Sequence, residues 1–115
     1  MVSSETFDTT KTFADLGLPA SVLKGVDAAG FKHPTKIQSA LIPIAMSGKD
    51  VIGQAKTGTG KTAAFSLPVL GLLQPGDQFG ALVLVPTREL AIQVCREVEE
   101  LGGHTGIKAI PVYGG

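Results

Sequence analysis

A glycine-rich segment near the middle of the chain constrains the fold more than any other feature. AKTGTGKT spans Ala55–Thr62 and lies between a short strand candidate, Val51–Gln54, and an apolar helix candidate. Its glycines let successive backbone N–H groups point at one centre, and a helix N-terminus adds partial positive charge. This arrangement predicts a phosphate-binding loop in which Lys61 reaches the phosphates and the Thr62 hydroxyl ligates Mg²⁺. An ordinary glycine-rich turn with a solvated lysine remains the alternative.

Strand and helix candidates alternate after this loop. The helix candidate at 61–73 contains Pro68, which predicts a disturbance in its middle. A continuous apolar run at 81–85 is typical of a strand covered on both faces, and a strongly amphipathic helix candidate follows at 87–101. A third strand candidate occupies 107–113. The βαβαβ order predicts an α/β fold with a parallel sheet and flanking helices.

Two shorter helices are predicted before the loop. The first covers 19–29 and stops at Gly30. The second starts with Thr35 as its N-cap and ends at Gly48, although Pro43 inside it predicts a kink or an early stop. Its apolar stripe is predicted to consist of Ile37, Leu41, Ile44 and Ala45.

Composition excludes several classes of protein. The 115 residues are 43% hydrophobic and 17% charged with a formal net charge of zero, which argues against disorder. No apolar stretch has the roughly 20 residues of a membrane-spanning helix. The single cysteine, Cys95, excludes an intramolecular disulfide framework and is expected to be a small core residue rather than a nucleophile. With Glu5 and Asp8 where a secretory signal needs a basic start, we expect a cytoplasmic location.

Charge is nevertheless concentrated around the loop. Residues 24–61 hold six lysines and two aspartates, a local balance of +4, and the flanking residues are acidic. Overall neutrality therefore does not exclude a polyanionic ligand.

The form of the glycine-rich segment, with Ala55 where the general pattern has glycine, resembles motif I of the DEAD-box ATP-dependent RNA helicases. Upstream, Gly30–Gln38 resembles the Q motif of that family, and Phe13 matches the isolated aromatic residue that precedes it. The predicted Q-motif region is 11–39. The resemblance implies ATP and Mg²⁺ as cofactors, with a nucleotide site formed by Phe13, Phe31, His33, Gln38, Ala55, Lys56, Thr57, Gly58, Thr59, Gly60, Lys61, Thr62 and Ala63; Lys61 and Thr62 are its catalytic members.

Within this site the resemblance implies that the Gln38 amide pairs with the adenine edge, for which it has both a donor and an acceptor. Phe31 is expected to stack on the adenine, and His33 to lie against the nucleotide. Thr35 and Gln38 also have the spacing of a capping box, and Phe31 has the alternative of a core position. The capping and adenine-binding roles of Gln38 are compatible.

Two downstream segments extend the resemblance. Pro86–Ala91 matches motif Ia letter for letter, and the final glycine pair matches the GG motif. The resemblance implies contacts with the RNA backbone, independent of base sequence, by Pro86, Thr87, Arg88, Gly114 and Gly115. A helix N-terminus at Thr87 suits phosphate contacts, whereas an N-cap followed by a solvated first turn is the simpler alternative.

The resemblance also predicts the place of this chain in a longer protein. Residues 1–12 are expected to be a flexible arm, and 13–115 the N-terminal part of a RecA-like helicase domain, truncated before the Asp-Glu-Ala-Asp motif. The family couples ATP hydrolysis to RNA unwinding or remodelling, but the isolated segment is expected to be inactive because that motif and the second RecA-like domain are absent. The alternative is a stand-alone, non-hydrolysing module that binds nucleotide or RNA.

Overall fold

The computed structural model describes residues 7–52, 61–77 and 80–114. These residues form a 3₁₀ helix at Phe13–Leu16 and four α-helices: α1 (Ala20–Ala28), α2 (Lys36–Met46), α3 (Lys61–Leu72) and α4 (Arg88–Leu101). None of the helices in this part of the chain has both the length and the apolar character that crossing a lipid bilayer requires.

Helix α3 is the central element. It contacts each of the other three α-helices. Its buried residues fall on several faces, as expected for a helix surrounded by others; they are Ala63, Ala64, Ser66, Leu67, Pro68 and Leu70. The core continues through the 3₁₀ helix, α1, α2 and the end of α4 with Phe13, Leu16, Leu18, Val22, Val26, Ile42 and Leu101.

Local sequence signals set the helix ends. The Thr87 hydroxyl accepts a hydrogen bond from the Leu90 N–H at 3.1 Å, so the predicted N-cap of α4 is confirmed. The predicted cap at Thr35 is confirmed as well. Gly30 and Gly48 have φ of 83° and 87°, a left-handed conformation that glycine adopts without strain after a helix end.

The two prolines do not end their helices, and the early stop predicted at Pro43 is wrong. Helix α2 continues to Met46, and α3 runs through the buried Pro68 to Leu72. A proline inside a helix removes one backbone donor and costs about 3 kcal/mol, which the packing of these helices offsets.

The predicted apolar stripe of α2 is wrong in part. Ile44 is 47% exposed, whereas the buried residues of this helix are Gln38, Ser39 and Ile42. The polar pair is buried because its side chains are satisfied by hydrogen bonds within the first turn and with residues upstream, a possibility that apolar periodicity does not detect.

Helices α1 and α4 approach each other so closely that their backbones are in direct contact at Gly25. A Cβ atom added to Gly25 would overlap the carbonyl oxygen of Leu101, the last residue of α4. A glycine at this crossing therefore permits α1 to contact the C-terminal end of α4.

No strand is assigned among residues 7–52, 61–77 and 80–114, apart from a single antiparallel bridge between Phe7 and Thr35. The predicted strands at 81–85 and 107–113 are described without strand pairing, and the predicted strand at 51–54 is described only for its first two residues. Apolar side chains in these segments are largely exposed, including Leu82, Leu84, Ile110 and Val112 at 80–86%. A strand requires a neighbour for its ladder, so the parallel sheet stays a prediction.

Candidate functional site

The glycine-rich loop lies mostly outside the described residues, which resume at Lys61. This loop comprises Ala55, Lys56, Thr57, Gly58, Thr59 and Gly60. Lys61 and Thr62 form the first turn of α3, with Lys61 exposed and Thr62 half-buried. The first N–H groups of a helix have no partner within it, so this turn offers donors, a cation and a hydroxyl together. Ala63 is buried in the core, so its side chain faces α3's neighbours.

Gln38 takes part in a reciprocal capping box at the start of α2. Its side-chain Oε1 accepts a hydrogen bond from the Thr35 N–H at 2.8 Å, and its own N–H donates to Thr35 Oγ1 at 3.3 Å. Both residues are buried. The predicted capping role is confirmed; it fixes one side of the carboxamide, a group that carries both an acceptor and two donors. The adenine role is not tested by these contacts.

Phe13 and Phe31 form a stacked pair. Their ring centroids are 6.1 Å apart with an angle of 28° between the planes. Phe13 is buried and Phe31 is 41% exposed, so the core alternative for Phe31 is wrong. One ring belongs to the interior and supports the other, which faces solvent.

An open pocket of about 420 Å³ adjoins this aromatic pair, between the 3₁₀ helix and α1. Its lining includes both rings together with Leu23 and the charged residues Lys24 and Asp27. The volume lies within the usual range for small-molecule sites, about 300–1,000 Å³.

His33 is anchored to the segment before the 3₁₀ helix. Its Nδ1 lies 3.1 Å from the carbonyl oxygen of Lys11, so this nitrogen carries the proton and donates it. The imidazole is exposed, and its orientation is set by this hydrogen bond. The three residues Phe31, His33 and Gln38 are thus each fixed by a specific neighbour.

The structure places Arg88, one of the predicted RNA-contacting residues, against Tyr113, the residue before the glycine pair. The guanidinium of Arg88, at the start of α4, lies 5.5 Å from the ring centroid of Tyr113, within cation–π distance. Gly114 is the next residue after Tyr113 and is exposed, as are Pro86 and Thr87. Gly115 lies outside the described residues. Tyr113 had no motif to mark it; only its position beside the glycine pair could have drawn attention to it.

Sequence reasoning also missed Asp8 and Ser39. The Ser39 hydroxyl donates to Asp8 Oδ2 at 2.7 Å. Hydrogen bonds from Thr10 and then from Ser39 lower the pKa of Asp8 below its ordinary value. Thirty-one residues separate the pair, so no local pattern connects them; the only sequence signal is the Asp-Thr-Thr turn at 8–10.

Cys95 has the properties of a structural residue. It is half-buried on α4 and forms no disulfide. Burial, and to a lesser extent the charge of Glu99, raises the pKa of its thiol. A raised pKa reduces the thiolate fraction at neutral pH, which argues against a nucleophile. The predicted core position is met only in part, because the side chain is half-buried and is not a member of the buried core. Among the described residues, no cluster of three or more His, Cys, Asp and Glu side chains could hold a metal ion.

Comparisons with known proteins all indicate the same family. A model of the DEAD/DEAH box helicase family matches residues 35–115. The DEAD-box ATP-dependent RNA helicase RhpA of Helicobacter pylori (strain B128) is 54% identical over 104 residues, which are 90% of this chain and 21% of RhpA. CshA of Bacillus cereus (strain ATCC 10987 / NRS 248), also a DEAD-box ATP-dependent RNA helicase, is 50% identical over 105 residues, 90% of this chain and 20% of CshA.

Solved structures agree with this result. A DEAD box protein from the hyperthermophile Methanococcus jannaschii has a TM-score of 0.80 and 39% identity, covering 90% of this chain and 29% of that one. Dbp5 of S. cerevisiae, bound to RNA and ADP BeF3, has a TM-score of 0.78 and 43% identity, covering 84% and 26%. The chain thus has an α/β helicase fold, and it spans about a fifth of the length of the curated relatives it matches.

Proposed function

Because this chain belongs to the DEAD/DEAH box helicase family, we propose that it is the nucleotide-binding part of an ATP-dependent RNA helicase. One observation carries the proposal: the residues matched to the Q motif, motif I, motif Ia and GG occur in this order along the chain. Direct contacts support it within the Q-motif region, between Phe13 and Phe31 and between Thr35 and Gln38, and at motif Ia, between Arg88 and Tyr113. The coupling of ATP hydrolysis to RNA unwinding is proposed for the full-length protein.

The phosphates of ATP are proposed to bind at the start of α3. Lys61 and Thr62 fit this role, because a helix N-terminus with an exposed ammonium and a hydroxyl is the donor set that polyphosphates require. The Thr62 hydroxyl would hold Mg²⁺ together with phosphate oxygens and water. Magnesium supplies neutralisation of the charge that develops on the transferring phosphoryl group. Lys61 orients the phosphates and Ala55–Gly60 complete the loop.

The adenine is proposed to bind beside Phe31. The exposed ring offers a stacking surface supported from behind by Phe13. Gln38 supplies an amide for the adenine edge, and His33 contributes an oriented imidazole. Selection of ATP over GTP follows, because a fixed amide that pairs with adenine leaves an unsatisfied group against guanine.

RNA is proposed to contact the start of α4 through its phosphate backbone. Pro86, Thr87 and Arg88 would provide helix-terminal donors and a cation, and the backbone of Gly114 and Gly115 lies next in sequence to the Arg88–Tyr113 contact. Contacts of this kind fix position without reading base sequence, so we expect affinity to fall steeply with salt.

The parallel sheet and the catalytic carboxylates are proposed to be completed in the longer protein. The exposed apolar segments at 81–85 and 107–113 favour additional strands beside them, and the Asp-Glu-Ala-Asp motif is expected after Gly115. We also propose a cytoplasmic location, for which the support is the single cysteine.

Unwinding of a short RNA duplex by the full-length protein tests the proposal. We expect ATP-dependent strand separation that Lys61→Ala reduces at least about 100-fold, since removing a principal phosphate-stabilising cation costs several kcal/mol. Lys49→Ala, at an exposed lysine outside the loop, is the matched control and should unwind normally. A protein that binds ATP but neither hydrolyses it nor separates strands would favour the non-hydrolysing binding module instead.

RNA binding is tested separately on α4. Arg88→Ala should weaken binding of single-stranded RNA and reduce the salt dependence of that binding by about one charge. Arg96→Ala, an exposed arginine on the same helix two turns further on, controls for net charge. Equal losses in the two variants would show that the effect is one of general charge and not of the proposed site.

A further inference from the structure

A short leading segment, residues 7–12, lies against the start of α2. The Asp8 N–H donates to the carbonyl oxygen of Pro34 at 2.8 Å, and Phe7 forms an antiparallel bridge with Thr35. The Lys11 carbonyl accepts the hydrogen bond from His33. The leading segment, part of the predicted arm, therefore contacts three consecutive residues, His33, Pro34 and Thr35.

The carboxylate of Asp8 joins the leading segment to α2, because one of its oxygens bonds to the helix and the other bonds within the segment. Oδ2 accepts the hydrogen bond from Ser39 Oγ at 2.7 Å. Oδ1 accepts from the Thr10 N–H at 3.1 Å and also from the Thr10 hydroxyl. The Thr10 bonds hold the carboxylate in a turn of its own segment, so the Ser39 bond transmits that position to the helix.

Ser39 is adjacent to Gln38, and both belong to the first turn of α2. The Ser39 N–H donates to the carbonyl oxygen of Thr35 at 2.9 Å, while the Thr35 N–H donates to Gln38 Oε1 at 2.8 Å. Thr35 is held on one side by Phe7, and Ser39 is held on the other by Asp8. The frame that sets the direction of the Gln38 carboxamide is thus fixed at both ends by the leading segment.

We propose that Asp8 is a positioning residue for adenine selection: through Ser39 and the Pro34–Thr35 backbone it holds the capping frame that orients the Gln38 carboxamide. The proposal rests on the proposed adenine-binding role of Gln38. It makes the leading segment a determinant of which nucleoside triphosphate is bound, although no atom of Asp8 has to touch the nucleotide. Discrimination between adenine and guanine depends on the direction of the Gln38 carboxamide. A small loosening of the capping frame therefore affects the ratio of ATP to GTP affinity more than it affects phosphate binding.

The test measures the dissociation constants of ATP and GTP, each with Mg²⁺, for variants of the full-length protein. Asp8→Ala should lower the preference for ATP over GTP about three- to tenfold, the range expected for one or two hydrogen bonds. Asp8→Asn keeps one acceptor oxygen, for either Thr10 or Ser39, and should retain part of the preference for ATP over GTP. Ser39→Ala should lower the preference to a similar degree, and adding it to Asp8→Ala should cause no further loss, because both changes break the same bond.

A matched control separates positioning from general stabilisation. Asp15 also accepts two hydrogen bonds from a threonine, Thr12, which is the N-cap of the 3₁₀ helix and the last residue of the leading segment; neither bond reaches α2. Asp15→Ala should lower the thermal midpoint comparably and leave the ATP-to-GTP ratio unchanged. If Asp15→Ala changes the ratio as much as Asp8→Ala does, the role of Asp8 is only structural and the proposal is overturned.

Gln38→Ala distinguishes the adenine-binding role from the positioning role. If it lowers the ratio and neither Asp8→Ala nor Ser39→Ala does so, the positioning role of Asp8 is wrong and the proposed function stands. If Gln38→Ala itself leaves the ratio unchanged, the adenine-binding role fails and the role of Asp8 fails with it. Ser39→Ala leaves the leading segment's own turn intact, so its ATP-to-GTP ratio decides the positioning role even if Asp8→Ala does not fold.

Discussion

Residues 7–46 are less hydrophobic than the two apolar segments at 81–85 and 107–113, yet they are the region that buries its apolar side chains. The first region is capped, internally hydrogen-bonded and packed around α3, whereas the second has no assigned secondary structure and exposes most of its apolar side chains. The difference follows from the range of the interactions. A helix satisfies its backbone within a few residues, whereas a strand depends on another strand that need not be nearby in sequence.

The largest contrast is expected between two leucines. Leu67 in α3 is fully buried, and Leu67→Ala should lower the free energy of unfolding by about 3–5 kcal/mol through lost burial and a cavity. Leu84 is 85% exposed, so Leu84→Ala should cost less than about 0.5 kcal/mol in the 115-residue chain.

The same pair tests the proposed sheet when the variants are placed in the full-length protein. There, Leu84→Ala should cost about 2–4 kcal/mol, because a strand covered on both faces buries this side chain. Urea unfolding measures all four values. A cost at Leu84 that stays near zero in the full-length protein would contradict the sheet.

The backbone contact between α1 and α4 should give the next largest effect. Gly25→Ala places a methyl group against the Leu101 carbonyl, so the helices must separate, at a cost of about 2–3 kcal/mol. Gly103→Ala is the matched control, because a Cβ there meets only ordinary contacts at 3.6 Å. Denaturant unfolding should distinguish them, and similar midpoints for the two variants would mean that the crossing relaxes without loss.

The two threonine caps should differ by a smaller amount. Thr35 is buried and Thr87 is exposed, although both accept a hydrogen bond from the residue three positions later. Thr35→Ala should therefore cost about 2 kcal/mol and Thr87→Ala about 1 kcal/mol. Thermal unfolding of the two variants, with the corresponding serine substitutions as controls that keep the hydroxyl, checks the order. The reverse order would show that burial does not strengthen the Thr35 cap.

Acid should weaken the hydrogen bonds that Asp8 and Asp15 accept. Hydrogen bonds from Thr10 and Ser39 lower the pKa of Asp8, and those from Thr12 lower that of Asp15. Because both pKa values are lower in the folded state, their contribution is complete at neutral pH and is lost as pH falls below about 4. Asp8→Asn and Asp15→Asn should each reduce the fall in unfolding free energy between pH 7 and pH 3. Asp27→Asn controls for the change in net charge. If Asp8→Asn and Asp15→Asn leave the pH dependence of the unfolding free energy unchanged, the stabilising role of these two carboxylates is refuted.

The parts of the molecule that sequence could predict are those decided locally. The boundaries of α4 follow from one threonine, one apolar stripe and a glycine pair, and the structure places them within a residue of the prediction. The early stop predicted at Pro43 was wrong because the cost of a missing donor is local whereas the packing that offsets it is not. The link from Asp8 to Ser39 could not be predicted for the same reason, since nothing in either segment indicates the other.

The same distinction between local and long-range interactions applies to the candidate site. Lys61 could be proposed from the glycine-rich loop that precedes it, whereas Gln38 and Arg88 could be proposed only from the resemblance to the Q motif and motif Ia. Each of the three lies in the first turn of its helix. What surrounds them was not predictable: the support of Phe31 by Phe13 and the placement of Arg88 over Tyr113 depend on how separate elements pack.

The glycine at the crossing of α1 and α4 has a mechanical consequence. Helix α4 has 14 residues and is therefore about 20 Å long. It is held tightly at Leu101, whereas Thr87 and Arg88 lie at its opposite end. A rigid rod pivoting at one end amplifies motion at the other, so a tilt of about 5° at Gly25 moves Arg88 by about 2 Å, a large fraction of a hydrogen-bond length.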